Sequence, residues 1–450
     1  EFTYGGDYNS KDASDNNFNC NGLLSPDRNF NPHAYEVRYF YQDIWTDAID
    51  LNKGTVNVFN ENFFVSLKNY RLEWNIEVDG RQIMNGIVNN LDIEPRSSKE
   101  IALDIDASKL PSQGEIFLNV NYILKSEYGI LPAGTRVAYA QLPIRENPEF
   151  TEFKTSKSNV KTVKNDNKVI VGNDDFEYTF NSDGFICKMT IGNTDYMKEG
   201  SVLKPNFWRA PTDNDMGGMQ LFSQYFKWRN PNIELLSINT ATANGNAIVS
   251  TTYKMPDVKA ELKLEYTING DGQISINQSM TVEPDSMPSQ LYRFGMRLEM
   301  DEQFSEVNYF GRGPIENYAD RKLSQPVGSY KQTVAEQYYP YIRPQESGTK
   351  SDLRTFDVVN IAGTGLRFSS DSLFSASALP YTQEQIGPWI QKKQHHSTDL
   401  EYDNLTAVCV DGAQIGLGCI NSWGAAPIAK YMLPRADYQF KLTITPINRK

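Results

Sequence analysis

Between residues 45 and 145 apolar and polar residues alternate with a period of two. The clearest stretch is Leu72, Trp74, Ile76 and Val78, interleaved with Arg71, Glu73, Asn75 and Glu77 and closed by Asp79-Gly80. Such alternation turns one face of a strand to a core and the other to water, and Asp-Gly suits a tight hairpin. The pattern recurs at Val56 and Val58, at Ile101, Leu103 and Ile105, and at Ile116, Leu118, Val120, Tyr122 and Leu124. Short strands at this spacing predict an immunoglobulin-like sandwich over 43–146. Residues 147–163 are polar and rich in Lys and Ser, which reads as a linker.

Alternation then resumes and continues to the C-terminus. It is plain at Phe176, Tyr178 and Phe180 ahead of Asp183-Gly184, at Leu262, Leu264, Tyr266 and Ile268 ahead of Asn269-Gly270, and at Tyr438, Phe440, Leu442 and Ile444. No second linker interrupts it, so 164–450 is expected to form one large antiparallel sandwich, with a helix over about 219–228 carrying Leu221, Phe222, Tyr225 and Phe226 on one side. The first 42 residues differ: a strand over 1–8 ending at Gly5-Gly6-Asp7, a polar loop, and a helix from Pro32 to about residue 42, with Val37, Tyr41 and Ile44 three to four apart. The fold class is mainly β.

Composition narrows the function. An aromatic content of 12%, mostly Tyr and Phe, fits pleated surfaces that bury rings on one side. The net charge of −12 argues against nucleic acid as a partner, because phosphate binding needs clustered Lys and Arg. No apolar run reaches the roughly 18 residues a membrane span requires, so no membrane partner is expected and the chain reads as soluble, its compartment left open. It opens at Glu1-Phe2-Thr3-Tyr4 without Met or leader and reads as a piece of something longer. Cys20, Cys187, Cys409 and Cys419 show no metal or redox spacing and read as small hydrophobes, with disulfide or metal roles as the alternative. His33, His395 and His396 are too few for an easy His-based site.

Two carboxyl groups held about 5 Å apart can serve as nucleophile and acid/base in a displacement reaction. By context the candidates are Glu316, in Gly311-Arg312-Gly313-Pro314-Ile315-Glu316-Asn317-Tyr318, and Glu346, in Pro344-Gln345-Glu346-Ser347-Gly348. The plainer reading is a carboxylate that holds a loop or pairs with Arg312 or Arg321. In Arg209-Ala210-Pro211-Thr212-Asp213-Asn214-Asp215, the aspartates either ligate a hard cation or pair with Arg209. Gly217-Gly218 permits a hinge or a plain connection. Trp423, in Asn421-Ser422-Trp423-Gly424, either packs in the core or stacks on a sugar's C–H face.

Taken in order, these clusters resemble the C-terminal half of glycoside hydrolase family 2 β-galactosidases. The resemblance runs through Tyr4-Gly5-Gly6-Asp7-Tyr8, Asp15-Asn16-Asn17-Phe18-Asn19-Cys20-Asn21-Gly22-Leu23, Pro26-Asp27-Arg28 and the stretch 32–41. It resumes at the Arg209 to Gly217 motif, Gly311 to Tyr318 with Asp320-Arg321, 341–348, and Ser422-Trp423. It implies that 1–42 is the last strand, loop and helix of a truncated (β/α)8 barrel, and that the terminal sandwich is of galactose mutarotase-like type. The barrel's catalytic glutamates would lie elsewhere, so no catalytic residue is expected in this chain and the fragment alone is expected to be inactive.

The same resemblance makes Trp423 a substrate-binding platform. It gives Phe18, through its carbonyl, and Asn21, through its side-chain oxygen, part of a sodium site, with magnesium confined to the parent barrel. The implied partners are the β-galactoside substrate, the missing barrel and N-terminal domains, and a homo-oligomer. The alternatives are a stand-alone carbohydrate-binding or structural module and a mutarotase-type epimerase using His395-His396 with Glu346.

Overall fold

The computed structural model describes every residue except 1, 152, 157, 166–167, 218–224, 285–289, 389–392, 419, 422–424 and 448–450. The chain divides into two compact units. One comprises Pro32–Glu149 with Leu323–Ser329; the other comprises Glu1–Asn31, Phe150–Lys322 and Tyr330–Lys450.

The smaller unit is the expected sandwich of two antiparallel sheets. Helix α1 (Pro32–Phe40) leads into β1 (Ile44–Asp50), β2 (Thr55–Asn60), β3 (Tyr70–Val78), β4 (Arg81–Val88), β5 (Ser97–Ala102), β6 (Ile116–Leu124) and β7 (Arg136–Arg145). One sheet has the order β1-β2-β5, the other β4-β3-β6-β7, which is the immunoglobulin arrangement. Tyr70, Leu72, Trp74 and Ile76 point inward as the alternation predicts and meet Val56, Val58, Leu118, Val120 and Tyr122 in one core. Asp79 and Gly80 both take positive φ, at 48° and 73°, so the β3–β4 hairpin closes in two residues. Across that hairpin Gly86 sits opposite Trp74, where an added Cβ would lie 2.6 Å from the indole ring. Gly86→Ala is therefore expected to destabilise the chain by about 1–3 kcal/mol, read as a lower urea midpoint; an unchanged midpoint would mean the indole simply moves aside.

The helix ends earlier than its periodicity suggests. Tyr41 lies beyond it and is 83% exposed, and Ile44 is buried in β1, so the two do not share a helical stripe with Val37. The Glu36 carboxylate instead accepts from the backbone N–H groups of Leu323 and Ser324, at 2.9 and 3.0 Å, and ties the late segment to α1.

The larger unit contains, among the described residues, a five-stranded and a twelve-stranded sheet. The first holds β8 (Lys161–Asn165), β9 (Lys168–Gly172), β10 (Phe176–Phe180), β11 (Ile186–Ile191) and β12 (Thr194–Asp195). The second is built from β13 (Lys204–Asn206), β14 (Glu234–Ala243), β15 (Asn246–Met255), β16 (Ala260–Ile268), β17 (Ile274–Val282), β18 (Arg293–Asp301), β19 (Glu306–Arg312), β20 (Val327–Thr333), β21 (Lys350–Val359), β22 (Gly365–Leu379), β23 (Leu405–Gln414) and β24 (Tyr438–Ile447). Its main path runs β13-β18-β23-β22-β24-β17-β16-β15-β14. The inward residues of both sheets share one core, with Phe180 edge-on to Tyr266 and Phe185 stacked on Tyr253. Aromatic rings so arranged add contact energy beyond the area they bury.

Two expectations fail or lie outside view. No strand forms over 2–8; Tyr4 is buried and a turn follows it. A barrel strand is held by ladder bonds on both sides, and among the described residues no strand pairs with that segment. The helix expected over 219–228 falls largely outside the described residues, and its visible end, Phe226–Trp228, is a short 3₁₀ turn.

Candidate functional site

The motifs singled out in the sequence meet on loops of the larger unit. Arg209 is fully buried and donates to both carboxylate oxygens of Asp215, each at 3.2 Å, and to the carbonyls of Ile415 and Gly416, each at 3.1 Å. Its guanidinium also lies 5.0 Å above the Tyr292 ring. Asp215 accepts from the Thr212 N–H at 2.8 Å while Thr212 Oγ1 accepts from the Asp215 N–H at 3.1 Å, which fixes the tight start of the helix Asp213–Gly217. Asp320 grips the same late segment from its other side, accepting from the N–H groups of Leu417 and Gly418 at 3.0 and 2.9 Å. Gly416 is required there, since a Cβ would approach the Asp320 carboxylate to 2.5 Å. Arg209 and Asp320 thus clamp 415–418, the stretch that leads to Trp423.

A second cluster docks the N-terminal segment. Tyr4 Oη donates to the carbonyl of His395 and accepts from its N–H, both at 2.7 Å, and the Tyr4 ring lies 4.5 Å from that of His396. Asp7 contacts His396 Nε2 at 2.8 Å, accepts from the Tyr4 N–H at 2.7 Å and bonds Gln394. Burial opposes ionisation of Asp7, but the hydrogen bonds from His396, Tyr4 and Gln394 outweigh it and hold the carboxyl below its ordinary value. Asn17 donates to Asp213 at 2.5 Å, and Asp213 also accepts from Arg343 at 3.1 Å and Gln345 at 3.3 Å. The pair expected between Arg209 and the aspartates is therefore divided: Asp215 takes Arg209 and Asp213 takes Arg343.

The two candidate carboxylates are both buried and both engaged. Glu316 accepts from Arg321 and Tyr341 at 2.5 Å each and from the Gly348 N–H at 2.7 Å. Arg312 is occupied elsewhere, by Asp352. Glu346 accepts from Arg293 at 3.1 Å and Thr349 at 3.0 Å, with Tyr318 at 3.4 Å. Arg293 reaches a second acid as well, Asp411, at 3.3 Å. One guanidinium thus faces two buried carboxyl groups, which cannot both be ionised cheaply. Burial accordingly pushes Asp411 up to about 7, with Arg293 pulling down and Glu346 pushing further up. Sequence reasoning missed Arg293 and Asp411; Asp411 is the one charge in its strand, whereas Arg293 is one of four in its own.

The remaining expected residues are placed as follows. Phe18 lies in the 3₁₀ turn Asn16–Cys20 and Asn21 caps it, its N–H bonding the Phe18 carbonyl at 3.1 Å. The Asn21 side chain is exposed and has no hydrogen-bond partner among the described residues. Trp423 and Gly218 lie outside the described residues; Gly217 ends the short helix. Cys20, Cys187 and Cys409 are unbridged. Among the described residues no group of three or more His, Cys, Asp and Glu side chains could hold a metal ion, and no helix is long and apolar enough to cross a membrane.

Comparison with known proteins agrees with this architecture. The family described as Beta galactosidase small chain matches residues 172–444, and that described as Beta-galactosidase, domain 4, matches 56–145. A β-galactosidase of Priestia megaterium is 28% identical over 99% of this chain and 42% of its own length, and one of Halalkalibacterium halodurans is 26% identical over 100% and 43%. The chain thus spans about two fifths of the length of these curated relatives. Among solved structures, a GalM/aldose epimerase homologue of C. elegans aligns over 62% of this chain and 98% of its own, at 10% identity and a TM-score of 0.32, too loose a likeness to bear on function. Domain 4 followed by small chain is the order of the C-terminal part of a β-galactosidase. With 172–444 of its 450 residues matched, the chain belongs to the β-galactosidase small-chain family.

Proposed function

We propose that this chain is a non-catalytic C-terminal region of a β-galactosidase whose intact form hydrolyses terminal β-D-galactosides with retention. The observation that carries the reading is the match of 99% of the chain to a β-galactosidase of which it spans only 42%. The fate of the two carboxylates supports its non-catalytic half. A nucleophile must be free to attack and an acid/base must be free to exchange a proton, whereas Glu316 and Glu346 are each buried under a guanidinium and further donors. In this reading the reacting pair belongs to the rest of the enzyme. This chain supplies a wall of the active site ending in Trp423, whose leading segment Arg209 and Asp320 hold by its peptide groups.

Phe18 and Asn21 would contribute two oxygens to a sodium ion. The fit is chemical: a backbone carbonyl with a lone pair to spare and an unengaged amide, both uncharged, three residues apart on one turn, suit a hard monovalent cation. When bound, the ion would supply a fixed positive charge beside sugar hydroxyls. His395 and His396 have other work: His396 is held by Asp7 and the backbone of His395 by Tyr4, which gives no support to an epimerase. The purified chain is expected to release no nitrophenol from 4-nitrophenyl β-D-galactoside above the buffer rate and to leave the mutarotation rate of α-galactose unchanged. Turnover of the nitrophenyl substrate would overturn the non-catalytic reading.

A further inference from the structure

A cleft of about 560 Å³ opens on the outer face of β16, β17 and β24, within the range of about 300–1,000 Å³ typical of small-molecule sites. Its floor follows from register. Glu265 on β16 pairs with Asn277 on β17, which pairs with Lys441 on β24, so three polar side chains lie abreast on one rung. Gln439, two residues from Lys441 on the same strand face, and Asp371 extend the polar lining. None of these five side chains bonds or ion-pairs with another described residue, although all are exposed side by side.

Phe153 forms an aromatic wall, and its position is held by its neighbour: the Lys154 N–H donates to Gln273 Oε1 and the Lys154 carbonyl accepts from Asn269, both at 2.8 Å. Charge then selects among ligands. Glu265 and Asp371 repel a polyanion, and Lys441 on β24 repels a cation. What remains favoured is an uncharged molecule rich in hydroxyls, able to give and take hydrogen bonds with two amides and to lay a C–H face on a ring.

We propose that this cleft binds a neutral oligosaccharide. It shares no residue with the wall and cation positions proposed above, so it stands or falls independently of them. The test is calorimetry on the full chain with β-1,4-galactotetraose, cellotetraose and maltotetraose, and with a heparin tetrasaccharide as the polyanionic comparison. At least one neutral tetrasaccharide is expected to bind, with a Kd of about 0.1–1 mM. Asn277→Ala with Gln439→Ala should weaken it at least tenfold, since each lost hydrogen bond is worth about 1 kcal/mol. Phe153→Ala should weaken it comparably, and Trp423→Ala should leave it in place. Asn277 and Gln439 are exposed, so the far-ultraviolet circular dichroism of the double variant should be unchanged. The proposal is overturned by no heat from any neutral probe, by unaltered affinity in the double variant, by loss of binding in Trp423→Ala alone, or by preference for the heparin fragment.

Discussion

Arg293→Met should lower the unfolding free energy by about 3–5 kcal/mol, the typical loss when one partner of a buried charge pair is removed. The side chain is only 2% exposed and serves Glu346 and Asp411 at once, so its removal takes away the cation that ion-pairs with both buried acids. Methionine roughly keeps the volume, which separates the electrostatic loss from a cavity. Adding Asp411→Leu to Arg293→Met should recover part of the deficit, because an apolar residue there needs no counter-charge. Guanidinium unfolding of the wild type and both variants checks the claim. A loss under about 1 kcal/mol would mean that water reaches the site and screens its charges.

The second large effect is a pH dependence. Asp411 has an ordinary carboxyl value of 3.8 that burial raises to about 7, so between about pH 4 and 7 the folded chain holds a proton that the unfolded chain has released. Its stabilising contribution is therefore complete below about pH 4, is lost as pH rises to 7, and is flat above that. Asp411→Asn keeps a neutral side chain of similar shape and removes the titration. The stability of wild type minus that of the variant should fall by about 1.4 kcal/mol per pH unit at the steepest part of that window. Urea midpoints at several pH values measure it; a difference that does not vary with pH would show that Asp411 does not titrate in this range. Together the two experiments ask whether Arg293 balances one negative charge or two.

Much of the fold was legible because half-buried strands write their faces into the sequence. Trp74 and Tyr266 point inward where the alternation put them, and Asp79-Gly80 closes its hairpin as expected. The Asn269-Gly270 turn was read correctly as a turn but for an incomplete reason. It is a longer loop, and Gly270 is needed because the Ser158 carbonyl would lie 2.0 Å from a Cβ there. The helix expected from Pro32 to about residue 42 ends at Phe40, with the Tyr41 N–H still bonding the Val37 carbonyl at 2.9 Å, so a spacing of three to four marks the turns but not the last residue. The loop motifs were legible as a group, since Gly- and Pro-bounded acids stand out. Their partners were harder: Arg321 lies five residues from Glu316, but Arg293 is 53 residues from Glu346 and is one of several charges on its strand. Pairing across a sheet is set by topology, and local sequence does not carry it.

The bond between Tyr4 and His395 joins residues 391 apart in the chain. On a ribosome adding about 5–20 residues per second, Tyr4 would wait roughly 20–80 s for that partner to be made. Meanwhile most of Pro32–Glu149 emerges with a core of its own, lacking only the late segment Leu323–Ser329. Tyr4 is thus synthesised long before the partner that fixes it, and throughout that interval its ring remains available to chaperones or to mispairing.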